Sequence, residues 1–293
     1  METGRDLIVV TGATGKQGGA TARELLAKGH KVRAMTRKPD SAAAREIAKL
    51  GAEVVPGDLD DVASLERSLA GAWGVFAVQN TQEAGVEREE AQGKRIAEIA
   101  RRQGVQHYVY SSVASAHRNT GIPHFDNKRR VEERVRALGL PSYTVLRPVF
   151  FMENLLSPSF LSGIQQGQLA LALEPKTVLQ MIAVADIGKY GRWAFENHAA
   201  LNGRAIDIAG DQATMPATAE ILSKVTHREV KFVRLPIEEV RKFSMDFALM
   251  LEWFDRVGYD ADIAKASAAS GIRPTTLATW AATVNWEPAS VTT

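Results

Sequence analysis

Over the first half of the chain, short apolar runs alternate with longer amphipathic stretches. Leu7 to Val10, Lys31 to Met35, Ala52 to Val55, Val75 to Val78, His107 to Tyr110 and Tyr143 to Leu146 each read as a strand. Helical patterns fill the intervals near Ala20 to Lys28, Ala42 to Leu50, Val62 to Leu69, Val86 to Arg102 and Asn127 to Leu138. Strands that alternate with helix-length segments predict parallel strands joined by crossover helices, an α/β fold with a doubly wound parallel sheet. Beyond Phe150 the alternation loosens. A helix is expected around Asn154 to Gln166, strands at Val178 to Ile182, Ala205 to Ala209 and Val230 to Val233, a helix from about Asp186, and a mostly helical C-terminal quarter. The expected organisation is a first domain over residues 1–150, with residues 151–293 forming a smaller lobe interleaved with it across a soft boundary.

The first apolar run leads directly into Thr11-Gly12-Ala13-Thr14-Gly15-Lys16-Gln17-Gly18-Gly19, and a helical pattern follows until Gly29. A dinucleotide pyrophosphate requires that order. One glycine makes the tight turn, a second lets the backbone approach the phosphates, and a third lets the helix pack closely with its positive end facing the anion. The motif in this context makes the sheet Rossmann-type and Gly12, Thr14, Gly15, Lys16, Gln17 and Gly18 candidate cofactor contacts.

The tip of the second strand reads Thr36-Arg37-Lys38-Pro39, and the first acid is Asp40, beyond the proline. A carboxylate at that tip would hold a ribose 2′-hydroxyl, whereas a guanidinium grips a 2′-phosphate through paired charge-assisted hydrogen bonds. NADP(H) is therefore the expected cofactor and NAD(H) the alternative. The competing reading makes Arg37 and Lys38 solvated loop charges. Ligands in such sheets lie at the carboxyl ends of the strands, which adds Asp58, Leu59, Gln79, Asn80, Ser111, Ser112, Pro148 and Phe150 to the candidates.

Composition narrows the classes. Hydrophobic residues make up 45% and charged residues 24% of the 293, the balance of an ordinary globular protein. With 36 basic against 34 acidic residues there is no electrostatic case for nucleic acid or a membrane surface as a partner. The absence of cysteine removes disulfides, thiolate nucleophiles and thiolate metal sites, and no histidine spacing suggests a metal. The polar N-terminus, followed by a short apolar run, does not read as a signal peptide or a membrane span, so a cytoplasmic location is expected. Trp193, Trp253, Trp280, Trp286, Phe243, Phe247, Phe254, Met245 and Met250 are read as core, pocket wall or contact surface.

A second constellation is His124-Phe125-Asp126-Asn127-Lys128, which places a histidine and a lysine one helical turn apart. Together with Thr11 to Gly18, Thr36-Arg37, Gly57-Asp58-Leu59, Leu146-Arg147-Pro148, Glu153-Asn154-Leu155-Leu156 and Val184-Ala185-Asp186-Ile187-Gly188, it resembles the NmrA-like branch of the atypical short-chain dehydrogenases/reductases. That branch includes NADP(H)-sensing regulators and small quinone or enone reductases. The resemblance implies that Lys128 bonds the nicotinamide ribose and that Ser111 or Ser112 hydrogen-bonds a reacting carbonyl; strand termination and turn capping are the alternative for the serines.

The chain departs from the family's catalytic members at His124, where they carry a proton-donating tyrosine. A phenol of pKa about 10 becomes a usable acid beside an ammonium. An imidazole starts near about 6.5, and a positive neighbour favours its neutral form, which gives up a proton poorly yet still donates one hydrogen bond. Two functions follow from the resemblance. One is an NADPH-dependent oxidoreductase with Lys128, His124 and Ser112 at a small carbonyl, enone or quinone bound beside the nicotinamide. The other is a non-catalytic redox sensor acting through a homodimer or a regulatory protein partner.

Overall fold

The central apolar runs of the first half are buried on both faces, as parallel strands covered by crossover helices must be, whereas Val54 and Val55 of the third run are only partly buried. In this computed structural model, which describes residues 6–286, Val9, Val10, Val75, Phe76, Val109 and Val145 have no exposed surface. The polar N-terminal stretch through residue 5 lies outside the described residues.

The chain runs β1 (Leu7–Val10), α1 (Lys16–Ala27), β2 (Lys31–Thr36), α2 (Ala42–Lys49), β3 (Glu53–Pro56), α3 (Val62–Leu69) and β4 (Gly74–Ala77). A short helix, α4 (Thr81–Ala84), precedes α5 (Val86–Arg102), β5 (His107–Ser111), α6 (Pro123–Ala137) and β6 (Tyr143–Pro148). Next come β7 (Phe150–Phe151), α7 (Pro158–Gln165), β8 (Gln168–Leu171), β9 (Val178–Ile182), α8 (Val184–Glu196) and β10 (Arg204–Ile208). The remainder is β11 (Asp211–Thr214), α9 (Met215–Thr226), β12 (Lys231–Arg234), α10 (Ile237–Phe243), α11 (Met245–Arg256), α12 (Ile263–Ser270) and α13 (Leu277–Ala281).

Two compact units divide these elements. The first holds the chain through Pro148 together with Val184–Asp207 and Ala268–Ile272. The second holds Val149–Ala183, Ile208–Ser267 and the chain from Arg273. The chain thus leaves the first unit after Pro148 and returns to it at Val184.

The first unit carries a seven-stranded sheet in the order β10-β6-β5-β4-β1-β2-β3. β1 pairs in parallel with β2 and β4, β2 with β3, β4 with β5, and β5 with β6. The doubly wound Rossmann-type sheet expected from the alternation is the one observed. Strand order reverses between β1 and β4, and the crevice outside their carboxyl ends is where such sheets take a ligand. α8 packs on α1 at unusually short range, because a Cβ on Gly188 would lie 2.7 Å from the Ala20 backbone. That contact is the structural use of Val184 to Gly188.

The second unit contains a three-stranded sheet, β11-β9-β7, and a β8-β12 pair. β7 is parallel and β11 antiparallel to β9. Trp253, Phe254 and Tyr259 form one aromatic cluster, and Trp280 stands edge-on to Trp286 with centroids 5.8 Å apart. Met250 is buried, but Met245 is 56% and Phe243 89% exposed, so the helical stripe does not extend to them.

Differences from the expected elements have local causes. The helix expected over Asn154 to Gln166 is broken, with a 3-10 turn at Met152–Leu156 and α7 beginning at Pro158. Ser157 is extended, as the residue before a proline prefers. α6 begins at Pro123 rather than Asn127, since proline is suited to the first helical position. α1 begins inside the glycine motif, at Lys16 rather than Ala20. β7, β8 and β11 were not expected, being short and lacking a continuous apolar run.

Candidate nucleotide site

The end of β1 is tied to the end of β4. Thr11 Oγ1 donates to the Val78 carbonyl at 3.0 Å and accepts from Val78 N at 2.9 Å. Past this lashing Gly12 turns at φ +58°, and Gly15 N donates to the Gly12 carbonyl at 2.8 Å. A Cβ at Gly18 would stand 2.3 Å from the Thr11 oxygen and 2.4 Å from the Gly12 oxygen, so only glycine permits this approach of helix to loop. Gly15 caps α1 without any side-chain hydrogen bond. A helix start that no side chain caps, behind a glycine turn, matches a pyrophosphate in shape and polarity. Gln17 Oε1 accepts from Ser111 Oγ at 2.6 Å, which brings the loop and the end of β5 together. Lys16 is exposed.

At the tip of β2, Thr36 Oγ1 lies 3.2 Å from Thr14 Oγ1 and also accepts from Lys38 N. Arg37 points into solvent at 61% exposure, its Nη2 2.5 Å from Glu83 Oε2. Asp58 is engaged with its own turn, accepting from Asp60 N and donating its backbone N–H to Ser64 Oγ. Leu59 packs against the core while its carbonyl accepts from Arg95. Asn80 Oδ1 caps α4 by accepting from Gln82 N at 3.0 Å. Gln79 is different. It is 5% exposed, and neither atom of its amide has a hydrogen-bond partner among the described residues. A buried unpaired amide costs about 1–3 kcal/mol; Gln79 stands just past the end of β4, and its Oε1 lies against Gly93 of α5.

His124 and Lys128 lie one turn apart at the start of α6. The half-buried His124 ring stands edge-on to Phe125 with centroids 4.8 Å apart. Lys128 is buried, its Nζ 2.5 Å from Glu89 Oε1. Asn127 Nδ2 donates to Glu89 Oε2 at 2.7 Å and to the Val86 carbonyl at 2.8 Å, and Thr81 Oγ1 donates to the same carboxylate. Burial raises the Glu89 carboxyl, but the Lys128 charge and these hydrogen bonds outweigh it and hold the group below the usual range. Tyr110, on β5, is fully buried with no hydrogen-bond partner for its hydroxyl among the described residues, and burial together with the Glu89 charge pushes its pKa far up.

Ser112 serves a second buried network. Its Oγ donates to Glu132 Oε1 at 2.6 Å, while Arg147 forks onto the same carboxylate at 2.8 and 2.6 Å and Arg136 adds a bond at 2.7 Å. Burial raises Glu132, and Arg147 and Ser112 bring it net below the ordinary range. Arg147 Nη1 also reaches His117 Nδ1 at 2.9 Å and Asp207 Oδ1 at 3.5 Å. Burial raises Asp207 by more than Arg147 recovers. Pro148 closes β6, whereas Phe150 belongs to β7 in the second unit.

The structure therefore gathers the glycine loop, Gln17, Thr36, Ser111 and Gln79 around the ends of the central strands, and directs the Ser112 hydroxyl to Glu132. Glu83, Glu89 and Glu132 were missed from sequence. They look like members of solvated charge runs, and only their opposite cations identify them.

The NmrA-like family model matches residues 4–281. An NmrA-like family domain-containing protein of Dictyostelium discoideum is 29% identical over 266 residues, covering 86% of this chain and 88% of the relative. An NmrA-like family domain-containing oxidoreductase of Malbranchea aurantiaca is 30% identical over 259 residues, covering 80% and 77%. Among solved structures, an NADPH-dependent quinone oxidoreductase from Escherichia coli superposes with a TM-score of 0.75 at 24% identity, covering 94% of this chain and 98% of that one. With the family match running through both units, from the glycine loop to α13, this chain belongs to the NmrA-like family.

Proposed function

We propose that the protein is an NADP(H)-dependent oxidoreductase that reduces a small carbonyl, enone or quinone. The observation that supports this most is the glycine loop ahead of α1, which has no room for a Cβ at Gly18 and lies beside a strand tip bearing Arg37 rather than an acid. The Malbranchea relative's designation as an oxidoreductase and the NADPH dependence of the Escherichia coli neighbour agree with it.

The α1 amides and the loop hold the pyrophosphate, Arg37 the 2′-phosphate, and Gln79 and Ser111 the nicotinamide half, with Lys128 at its ribose. A nicotinamide bound there supplies a hydride. His124 donates a hydrogen bond to the substrate oxygen, which raises the electrophilicity of the carbon, and water delivers the proton to that oxygen. In this reading the second unit is the substrate lobe, and the cysteine-free chain works in the cytoplasm, where NADPH is available.

One observation favours a second reading as a non-catalytic sensor. Lys128 is held by Glu89, and a histidine stands in the tyrosine's place. A sensor requires two cofactor forms or two conformations of unequal affinity. Following NADPH oxidation with quinones, enones and aldehydes separates the two. Turnover that collapses in Lys128→Ala supports the enzyme; NADPH binding without turnover on any acceptor supports the sensor.

A further inference from the structure

The segment from Asn80 to Glu89 carries three carboxylates, and two of them, Glu83 and Glu89, each sit on a cation that the proposed site offers to a phosphorylated dinucleotide. Glu83 Oε2 is 2.5 Å from Arg37 Nη2, and Glu89 Oε1 is 2.5 Å from Lys128 Nζ. The two pairs differ in kind. Glu89 is buried and further held by Thr81 and Asn127, so its pairing is part of the fold. Glu83 is 57% exposed and Arg37 61%, and an exposed pair of this sort shifts an equilibrium by no more than about fivefold. Glu83 rides on α4, which Asn80 caps at one end and Gly85, at φ +79°, ends at the other.

We propose that Glu83 is a specificity-determining residue, occupying Arg37 in the place of the 2′-phosphate and so narrowing the preference for NADP(H) over NAD(H). The inference rests on the nucleotide reading given above. A 2′-phosphate carries close to two negative charges at neutral pH. To fork onto the guanidinium it must displace Glu83 or stand beside a like charge, and either outcome weakens NADP(H) alone. NAD(H), with a neutral 2′-hydroxyl, meets neither penalty. The neighbouring Glu89 pair anchors the segment that carries Glu83, so the carboxylate stays close to Arg37 as the nucleotide arrives.

Titration calorimetry of the full chain with NADP+ and NAD+, for the native protein, Glu83→Gln, Arg37→Ala and the double variant, tests this. Glu83→Gln should tighten NADP+ by about three- to fivefold, leave NAD+ within about twofold, and lose its effect on NADP+ in the Arg37→Ala background. The gain should shrink at high salt, as exposed charge interactions do. A ratio of NADP+ to NAD+ affinity that Glu83→Gln leaves unmoved or lowers overturns the proposal, as does a gain that persists without Arg37. Binding of neither dinucleotide by the native chain overturns the nucleotide reading and this inference together; binding of both with an unmoved ratio overturns this inference alone.

Discussion

Lys128 and Glu89, residues of α6 and α5, form an ion pair at 2.5 Å with both side chains nearly removed from solvent. Two desolvated charges in contact hold each other strongly, and the loss of one leaves the other unpaired in a low dielectric. Glu89→Ala should destabilise the protein by about 3–5 kcal/mol in urea unfolding. A variant that replaces both partners with apolar residues of similar volume should recover most of that loss. Equal instability of the single and double variants would mean that the pair is not what the site depends on.

The Glu132 network makes a parallel prediction with a graded outcome. Glu132→Ala leaves the buried Arg147 guanidinium with Asp207, at 3.5 Å, as its remaining carboxylate, and should cost about 3–5 kcal/mol. Ser112→Ala removes one hydroxyl donor from a carboxylate that keeps its two arginines, and should cost about 1–2 kcal/mol. Denaturation midpoints at constant m-value would rank them. A larger loss for Ser112→Ala than for Glu132→Ala would contradict the geometry.

His107 is buried at the start of β5, its Nδ1 2.9 Å from Ser142 Oγ. Burial first, and then the neighbouring His198, lower its pKa to about 3. The unfolded chain takes up this proton near pH 6.5 while the folded protein does not. Stability should therefore fall as pH drops from about 6.5 towards about 3, by up to about 1.4 kcal/mol per pH unit from this group. The buried carboxylates Glu89 and Glu132, held below their ordinary range, lose their contribution at the acid end of the same window as they protonate. Unfolding free energies measured at several pH values should show a shallower slope between pH 4 and 6 for His107→Gln than for the native chain, and an unchanged slope would refute this account.

The contact of α1 with α8 depends on Gly188. A methyl group there would sit 2.7 Å from the Ala20 backbone and 3.0 Å from its Cβ. Neither helix backbone can yield without disturbing the loop that α1 carries. Gly188→Ala should cost about 1–3 kcal/mol by overpacking, and it should weaken dinucleotide binding measured by calorimetry. Gly203→Ala provides the comparison for inserting a methyl where the nearest atom is 3.9 Å away, although its positive φ adds backbone strain.

Much of the first unit was legible because local chemistry dictates it. Val62–Leu69 and Val86–Arg102 follow from helical periodicity, and Asp61 caps the first of them by accepting from Ala63 N. Gly12 and Gly18 mark the loop, the first because it takes a positive φ and the second because a Cβ there would lie 2.3 Å from the Thr11 oxygen. The second unit was less legible. β7, β8 and β11 contain two to four residues each and draw their stability from partners far along the chain.

The sequence by itself determined the strand and helix alternation, the glycine-rich loop and the basic tip at Arg37, since each depends on neighbouring residues and on backbone limits that act over a few positions. Only the tertiary structure decided which carboxylates meet those cations. Arg37 finds Glu83 at a separation of 46 residues, Lys128 finds Glu89 at 39, and Arg147 finds Glu132 at 15. Charge attracts charge without regard to sequence distance, so these partners are selected by how α4, α5 and α6 pack around the sheet, and no local pattern records the choice.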